Sequence, residues 1–238
     1  MTSRTKDLRA ILREELTGWK RWELVWMLTA CLTIILLSIY WKDSWMGILS
    51  ATTGIACVVC TGKGKLSAYF FGLINSVLYA VISYKAALYG ETMLNALYYV
   101  PMQFIGFYTW SRHINMETHE VEKRRMKWSG RLLAAGCVLL GTVGYGMVLE
   151  KLGDAMPYID AFTTVTSVAA MILSVKMFAE QWWIWVAVDV FSVYMWWNDF
   201  RSGSDNMATL LMWAVYLINA VIMLVKWERE AENEGHGI

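Results

Sequence analysis

Long apolar runs, each interrupted by only a few polar positions, alternate along the 238-residue chain with short connections rich in Lys, Arg, Gly and acidic residues. A helix crossing the hydrocarbon of a bilayer takes roughly 20 mostly apolar residues at 1.5 Å of rise each, and the runs recur at that length. They predict eight spans, at 22–41, 44–60, 66–88, 92–111, 131–149, 160–178, 182–200 and 207–227. The pattern is that of an all-α integral membrane protein, with the lipid bilayer as its first partner. The second span is short, and its fusion with the first is the alternative. Helical periodicity adds little, because helices buried in lipid and protein are apolar nearly all round.

Charge sorts the connections into two sides. Seventeen of the 21 basic residues fall before the first span, after the even-numbered connections and after the last span; Lys42, Lys85, Lys151 and Arg201 lie opposite. The positive-inside rule then places both termini in the cytoplasm. The segment MTSRTKDLRAILREELTGWKRWE lacks the order of a cleavable signal peptide. It reads either as an amphipathic helix lying on the membrane or as a solvated basic tail. The connection 112–130, with EKRRMK at 122–127, reads as a loop that meets anionic lipid or stays in water.

Shifted by 114 residues, YFFGLINSV (69–77) lies over WIWVAVDVF (183–191), and Asn75 lies over Asp189. Each segment opens the middle helix of a three-helix group, at 44–111 and 160–227. Three spans joined directly to three would invert the second group; the span at 131–149 restores its direction, giving two parallel repeats, a plan common among transporters. The organisation predicted is 1–43 as N-terminus and extra span, 44–111 as first bundle, 112–159 as basic loop and linker helix, 160–227 as second bundle, and 228–238 as tail.

Polar residues near mid-span mark where chemistry is expected. Asn75 is ten residues into the third span, Gln103 twelve into the fourth, Asp189 eight into the seventh and Asn219 thirteen into the eighth. For the amides, helix-to-helix hydrogen bonding is an equal alternative to ligand binding. Asp189 differs, since a carboxylate at that depth costs about 2.5–3.5 kcal/mol unless a partner, a watery cavity or a proton offsets it. No Lys or Arg lies at matching depth. Trp182, Trp185 and Asp189, at i, i+3 and i+7, share a helix face, whereas Trp183 points elsewhere, toward an interfacial belt. An indole stacks on flat rings and attracts cations, so these residues suit a flat, cationic, sugar-bearing solute. Tyr79, one turn beyond Asn75, completes the candidate set. Pro101, two residues before Gln103, removes a backbone hydrogen bond and either aims that side chain or fits the helix to its neighbours. Gly72 and Gly106 read as packing residues.

The four cysteines fall within spans and read as packing; the CxxC at Cys57 and Cys60 has no second pair, and the three histidines lie in loops or the tail. No metal site, cofactor or catalytic centre is expected, which argues against an enzyme. WNDFRSGSD (197–205) carries two acids that solvation explains.

Four segments, SAYFFGLINSVLY (67–79), LYGE (88–91), QFIGFYTW (103–110) and WWIWVAVD (182–189), resemble the Pnu family of bacterial vitamin transporters over about residues 44–227. The resemblance implies a SWEET-like fold of two three-helix bundles joined by a linker helix (3+1+3), here with one additional N-terminal span. It implies transport of nicotinamide riboside, or of thiamine or riboflavin in relatives, by facilitated diffusion. Uptake would be trapped by a cytoplasmic nucleoside kinase. Substrate binding carries over to Trp182, Trp185 and position 189, and is extended to Gln103 and Asn219. Riboside carriers of the family often have Asn where this chain has Asp189; a carboxylate suits a pyridinium and equally the thiazolium of thiamine. A proton-coupling role for Asp189 and assembly into a homo-oligomer stay open.

Overall fold

The computed structural model describes residues 15–86, 89–115, 118–152, 157–204 and 206–235; most of the proposed amphipathic N-terminus, and Asp205, lie outside them. Among the described residues every predicted span is a helix. They are α1 (Arg21–Tyr40), α2 (Trp45–Lys63) and α3 (Ser67–Lys85), then a rod made of α4 (Tyr89–Met93), a π-helical segment (Leu94–Tyr99) and α5 (Val100–Ser111). There follow α6 (Trp128–Leu152), α7 (Pro157–Val175), α8 (Gln181–Arg201) and α9 (Met207–Gly235). Six helices (α1, α2, α3, α6, α7 and α9) are long and apolar enough to cross a membrane. The α4–α5 rod is divided by its π segment, and α8 is diluted by Trp, Tyr and polar residues.

The first two spans are separate. Ser44 ends the break between them by accepting a hydrogen bond from the Gly47 N–H at 3.0 Å, the usual device for closing a helix N-terminus. At the other end of α2, Gly64 adopts φ +76 and accepts from the Val121 N–H through its carbonyl, a left-handed cap that glycine takes without a Cβ penalty.

The helices pack as a closed ring in the order α2, α3, the α4–α5 rod, α7, α8, α9 and back to α2. Outside it, α1 lies on α2 and α9, and α6 lies on α7. The outward side of α6 exposes Leu132, Leu133, Leu139 and Leu140. Such a surface is a liability in water and the expected one in hydrocarbon. Close crossings inside the ring depend on missing side chains. A Cβ on Gly72 would stand 2.6 Å from Gln103 Oε1, and one on Gly106 would occupy the Tyr69 ring. Both glycines are therefore packing residues of the α3–α5 crossing. Pro101 begins α5 directly after the π segment; its ring would strike the carbonyl four residues back in a regular helix, and the widened turn relieves that clash.

Of the basic residues in EKRRMK, Arg124, Arg125 and Lys127 are exposed, as a solvated loop requires, and Lys123 is buried. Lys123 is 5% exposed and lies 2.6 Å from Glu120 and 2.7 Å from Glu230. Lys63 reaches Glu23 at 2.9 Å and Glu120 at 2.7 Å, and Lys226 reaches Glu23 at 3.2 Å. Arg125 pairs with Glu228 and Glu232, and Arg131 with Glu180. These partners explain why α9 runs to Gly235, past the predicted span end at 227: its final turns carry the acids that neutralise the loop.

Burial pushes the Glu120 carboxyl up, but Lys123 and Lys226 beside it more than cancel that and hold it at about 2. A depressed carboxyl contributes stability that is present above its unfolded value, near 4.3, and lost as pH falls through its folded value. The thermal midpoint of the detergent-solubilised protein should therefore fall as pH drops from about 5 towards 2. Glu120→Gln should lower the midpoint at pH 7 by several degrees and flatten that fall; an unchanged pH profile would show that the cluster contributes nothing.

Candidate functional site

The helix ring encloses a cavity of about 120 Å³. Every residue proposed for substrate binding from the sequence, Asn75, Tyr79, Gln103, Trp182, Trp185, Asp189 and Asn219, is on its wall. They come from α3, α5, α8 and α9.

On α8, Trp182 and Trp185 face the cavity with Asp189, while Trp183 is 60% exposed, as the i, i+3, i+7 spacing requires. Trp182 packs edge-on against Trp227 at 5.9 Å, and its indole N–H has no partner among the described residues. The Tyr69 hydroxyl, also on the wall, is likewise unpartnered. Trp185 stands 6.5 Å from the Tyr99 ring, tilted by 43°. Asp189 is 2% exposed and its Oδ2 accepts no hydrogen bond. A buried charged oxygen without donors is among the least favourable groups a protein can hold.

The amides divide. Asn75 donates to the Ser50 carbonyl at 2.8 Å and to Ser50 Oγ at 3.2 Å. Asn219 accepts from Trp26 Nε1 at 3.3 Å and donates to the Val58 carbonyl at 3.2 Å. Both touch the cavity, but their hydrogen bonds tie α3 to α2 and α9 to α1 and α2. Tyr79 accepts from Trp196 Nε1 at 2.9 Å and Trp213 Nε1 at 3.2 Å, which fills both oxygen lone pairs. Gln103, 7% exposed, makes no hydrogen bond among the described residues.

The rod supplies a stripe of four wall residues, Glu91, Asn95, Tyr99 and Gln103. In a regular α-helix a step of four residues overshoots one turn by about 40°, so three steps would carry Gln103 about 120° away from Glu91. The π segment at Leu94–Tyr99 fits more residues into its turn and brings the stripe back onto one face. Glu91, Asn95, Tyr99 and Tyr216 were not singled out from the sequence. Glu91 sits at the edge of a predicted span, where an acid reads as solvated, and tyrosines in apolar runs read as packing.

No group of three or more His, Cys, Asp or Glu side chains able to hold a metal occurs among the described residues. The wall bears two carboxylates, Asp189 and Glu91, and no Lys, Arg or His among the described residues. It combines aromatic rings, unpartnered N–H and O–H donors and negative charge.

Comparison with known proteins gives this arrangement a context. The chain is 39% identical to the nicotinamide riboside transporter PnuC of Neisseria mucosa, covering 91% of this chain and 84% of that one. It is 31% identical to the protein of the same name from Haemophilus influenzae, covering 93% and 96%. A crystal structure of the vitamin B3 transporter PnuC superimposes with a TM-score of 0.86 at 37% identity, over 95% of this chain and 99% of the other. These are membrane transporters and not enzymes. The profile of the nicotinamide mononucleotide transporter family matches residues 44–229, and with these relatives it shows that the chain belongs to that family.

Proposed function

We propose that the protein carries nicotinamide riboside across the bacterial inner membrane by facilitated diffusion. The observation that carries this reading is Asp189, a buried carboxylate with an unpartnered oxygen beside the Trp185–Tyr99 pair. A pyridinium ring supplies the missing positive charge and a flat face for the aromatics. Two stacking contacts of about 3.5 Å require ring centres about 7 Å apart, so a small rotation of Trp185 or Tyr99 from their 6.5 Å separation admits the ring. Its carboxamide oxygen would face Trp182 Nε1 and the Tyr69 hydroxyl, and its carboxamide N–H the Gln103 oxygen.

The absence of basic side chains from the described wall disfavours a phosphorylated ligand, whose charge would be buried unpaired. This supports the riboside carried by the named relatives over the mononucleotide of the family's description. Thiamine also brings a cation, but the PnuC relatives are named for the riboside.

In this reading the ring is a SWEET-like 3+1+3 arrangement: α2, α3 and the rod form one bundle, α7 to α9 the other, with α6 as linker and α1 added. The packing order supports it, since a half-turn of the ring brings α2, α3 and the rod onto α7, α8 and α9. Transport proceeds by alternating access, as one bundle rocks against the other about the central site. The basic end faces the cytoplasm, where a nucleoside kinase phosphorylates the product and makes uptake one-way.

Trp185→Ala and Asp189→Ala should each weaken riboside binding at least tenfold, about 1.4 kcal/mol, by titration calorimetry; unchanged affinity in both variants rejects the site. In proteoliposomes the riboside should equilibrate without accumulating against its gradient when a pH difference is imposed. Proton-driven accumulation would replace diffusion with coupling through Asp189.

A further inference from the structure

Glu91 is a second buried acid on the cavity wall. It is 5% exposed, and its carboxylate forms no hydrogen bond or ion pair among the described residues. Only its backbone carbonyl is engaged, by Asn95 Nδ2 at 2.9 Å. The charged neighbour across the seam is another acid, Asp160 of α7, whose carboxylate lies against Gly90 and accepts from Thr164. Like charge offers Glu91 no relief, and a donor within the cavity would supply it.

The dimensions fit a specific donor. Tyr99, which faces Trp185, and Glu91 are eight residues apart on one rod, at most about 12 Å along its axis, the rise of a regular α-helix. With the pyridinium held between Tyr99 and Trp185 and its carboxamide toward Trp182, the sugar extends toward Glu91. From ring centre to 5′-oxygen a riboside spans roughly 7 Å at bond lengths near 1.5 Å, and a hydrogen bond adds about 2.8 Å. The remaining 2 Å or so is within reach of a glutamate side chain.

We propose that Glu91 is a specificity-determining residue for the sugar end of the ligand. Its carboxylate accepts a hydrogen bond from the 5′-hydroxyl, and its charge rejects a phosphate at that position. Asn95, one turn along the same stripe, supplies a neighbouring polar surface. The inference rests on the riboside reading and adds to it an orientation: carboxamide toward the basic end, 5′-carbon toward the opposite end.

The test pairs a change in the ligand with a change in the protein. The purified full chain and its Glu91→Gln variant are titrated with nicotinamide riboside, with its 5′-deoxy analogue and with the mononucleotide. In the unmodified protein the 5′-deoxy analogue should bind about tenfold to a hundredfold more weakly, the range for a hydrogen bond to a charged acceptor. In Glu91→Gln that penalty should shrink to about twofold or less, and the preference for riboside over mononucleotide should narrow by at least about tenfold. Equal affinity for riboside and 5′-deoxy analogue in the unmodified protein overturns the proposal without recourse to any variant. So does a penalty that persists in Glu91→Gln. Failure of the unmodified protein to bind the riboside at all overturns instead the riboside reading on which the proposal rests.

Discussion

A carboxylate removed from water needs a cation, a proton or several donors, and the wall around Asp189 uses up most of the donors that might have served. The Asn75 amide N–H is committed to Ser50, that of Asn219 to Val58, and the indole N–H groups of Trp26, Trp196 and Trp213 to Asn219 and Tyr79. These bonds hold the ring of helices together around an acid that they do not satisfy. Insertion of such an acid costs about 2.5–3.5 kcal/mol, which in the proposed function a cationic ligand offsets. The donors that stay unpartnered, Trp182 Nε1 and the Tyr69 hydroxyl, lie toward the basic end, where a ligand's acceptor is wanted.

The scaffold keeps this arrangement fixed. Pro101 and the π segment bring Glu91, Asn95, Tyr99 and Gln103 onto one stripe, and Gly72 and Gly106 let α3 approach α5 closely enough for Gln103 and Tyr69 to pack across the crossing. At the basic end, Lys63, Glu120, Lys123, Lys226 and Glu230 tie the 112–127 connection to α2 and α9. The α2–α9 seam is also joined at the opposite end, where Asp43 accepts from the Ala208 N–H. Between the rod and α7, the Tyr98 hydroxyl donates to the Val168 carbonyl and Trp110 Nε1 to the Ser174 carbonyl.

Much of this was legible in the sequence because the physics involved is local. Apolar length gave the helices, and the i, i+3, i+7 spacing put Trp182, Trp185 and Asp189 on one face. Depth along a span picked out Gln103 and Asn219. What stayed hidden depends on which residues meet. Asn75 and Asn219 could be recognised as buried amides, but their commitment to neighbouring helices required the packing. The stripe from Glu91 to Gln103 has a spacing of four that no regular helix keeps on one face, so it becomes readable only through the π segment. Glu91 lay at a span boundary and carried no sign of burial. Within the run 122–127 the burial of Lys123 and the pairing of Arg125 were hidden because Glu228, Glu230 and Glu232 are about 100 residues away, in the last turns of α9.

The most direct test of Asp189 as the holder of a cation compares two ligands of nearly the same shape, nicotinamide riboside and its neutral dihydropyridine form, by calorimetric titration of the purified protein. The unmodified protein should prefer the cation at least tenfold, about 1.4 kcal/mol, and Asp189→Asn should lose most of that preference. Equal affinity for the two forms in the unmodified protein would contradict a charge-based role for Asp189 and leave the aromatic pair alone to explain recognition.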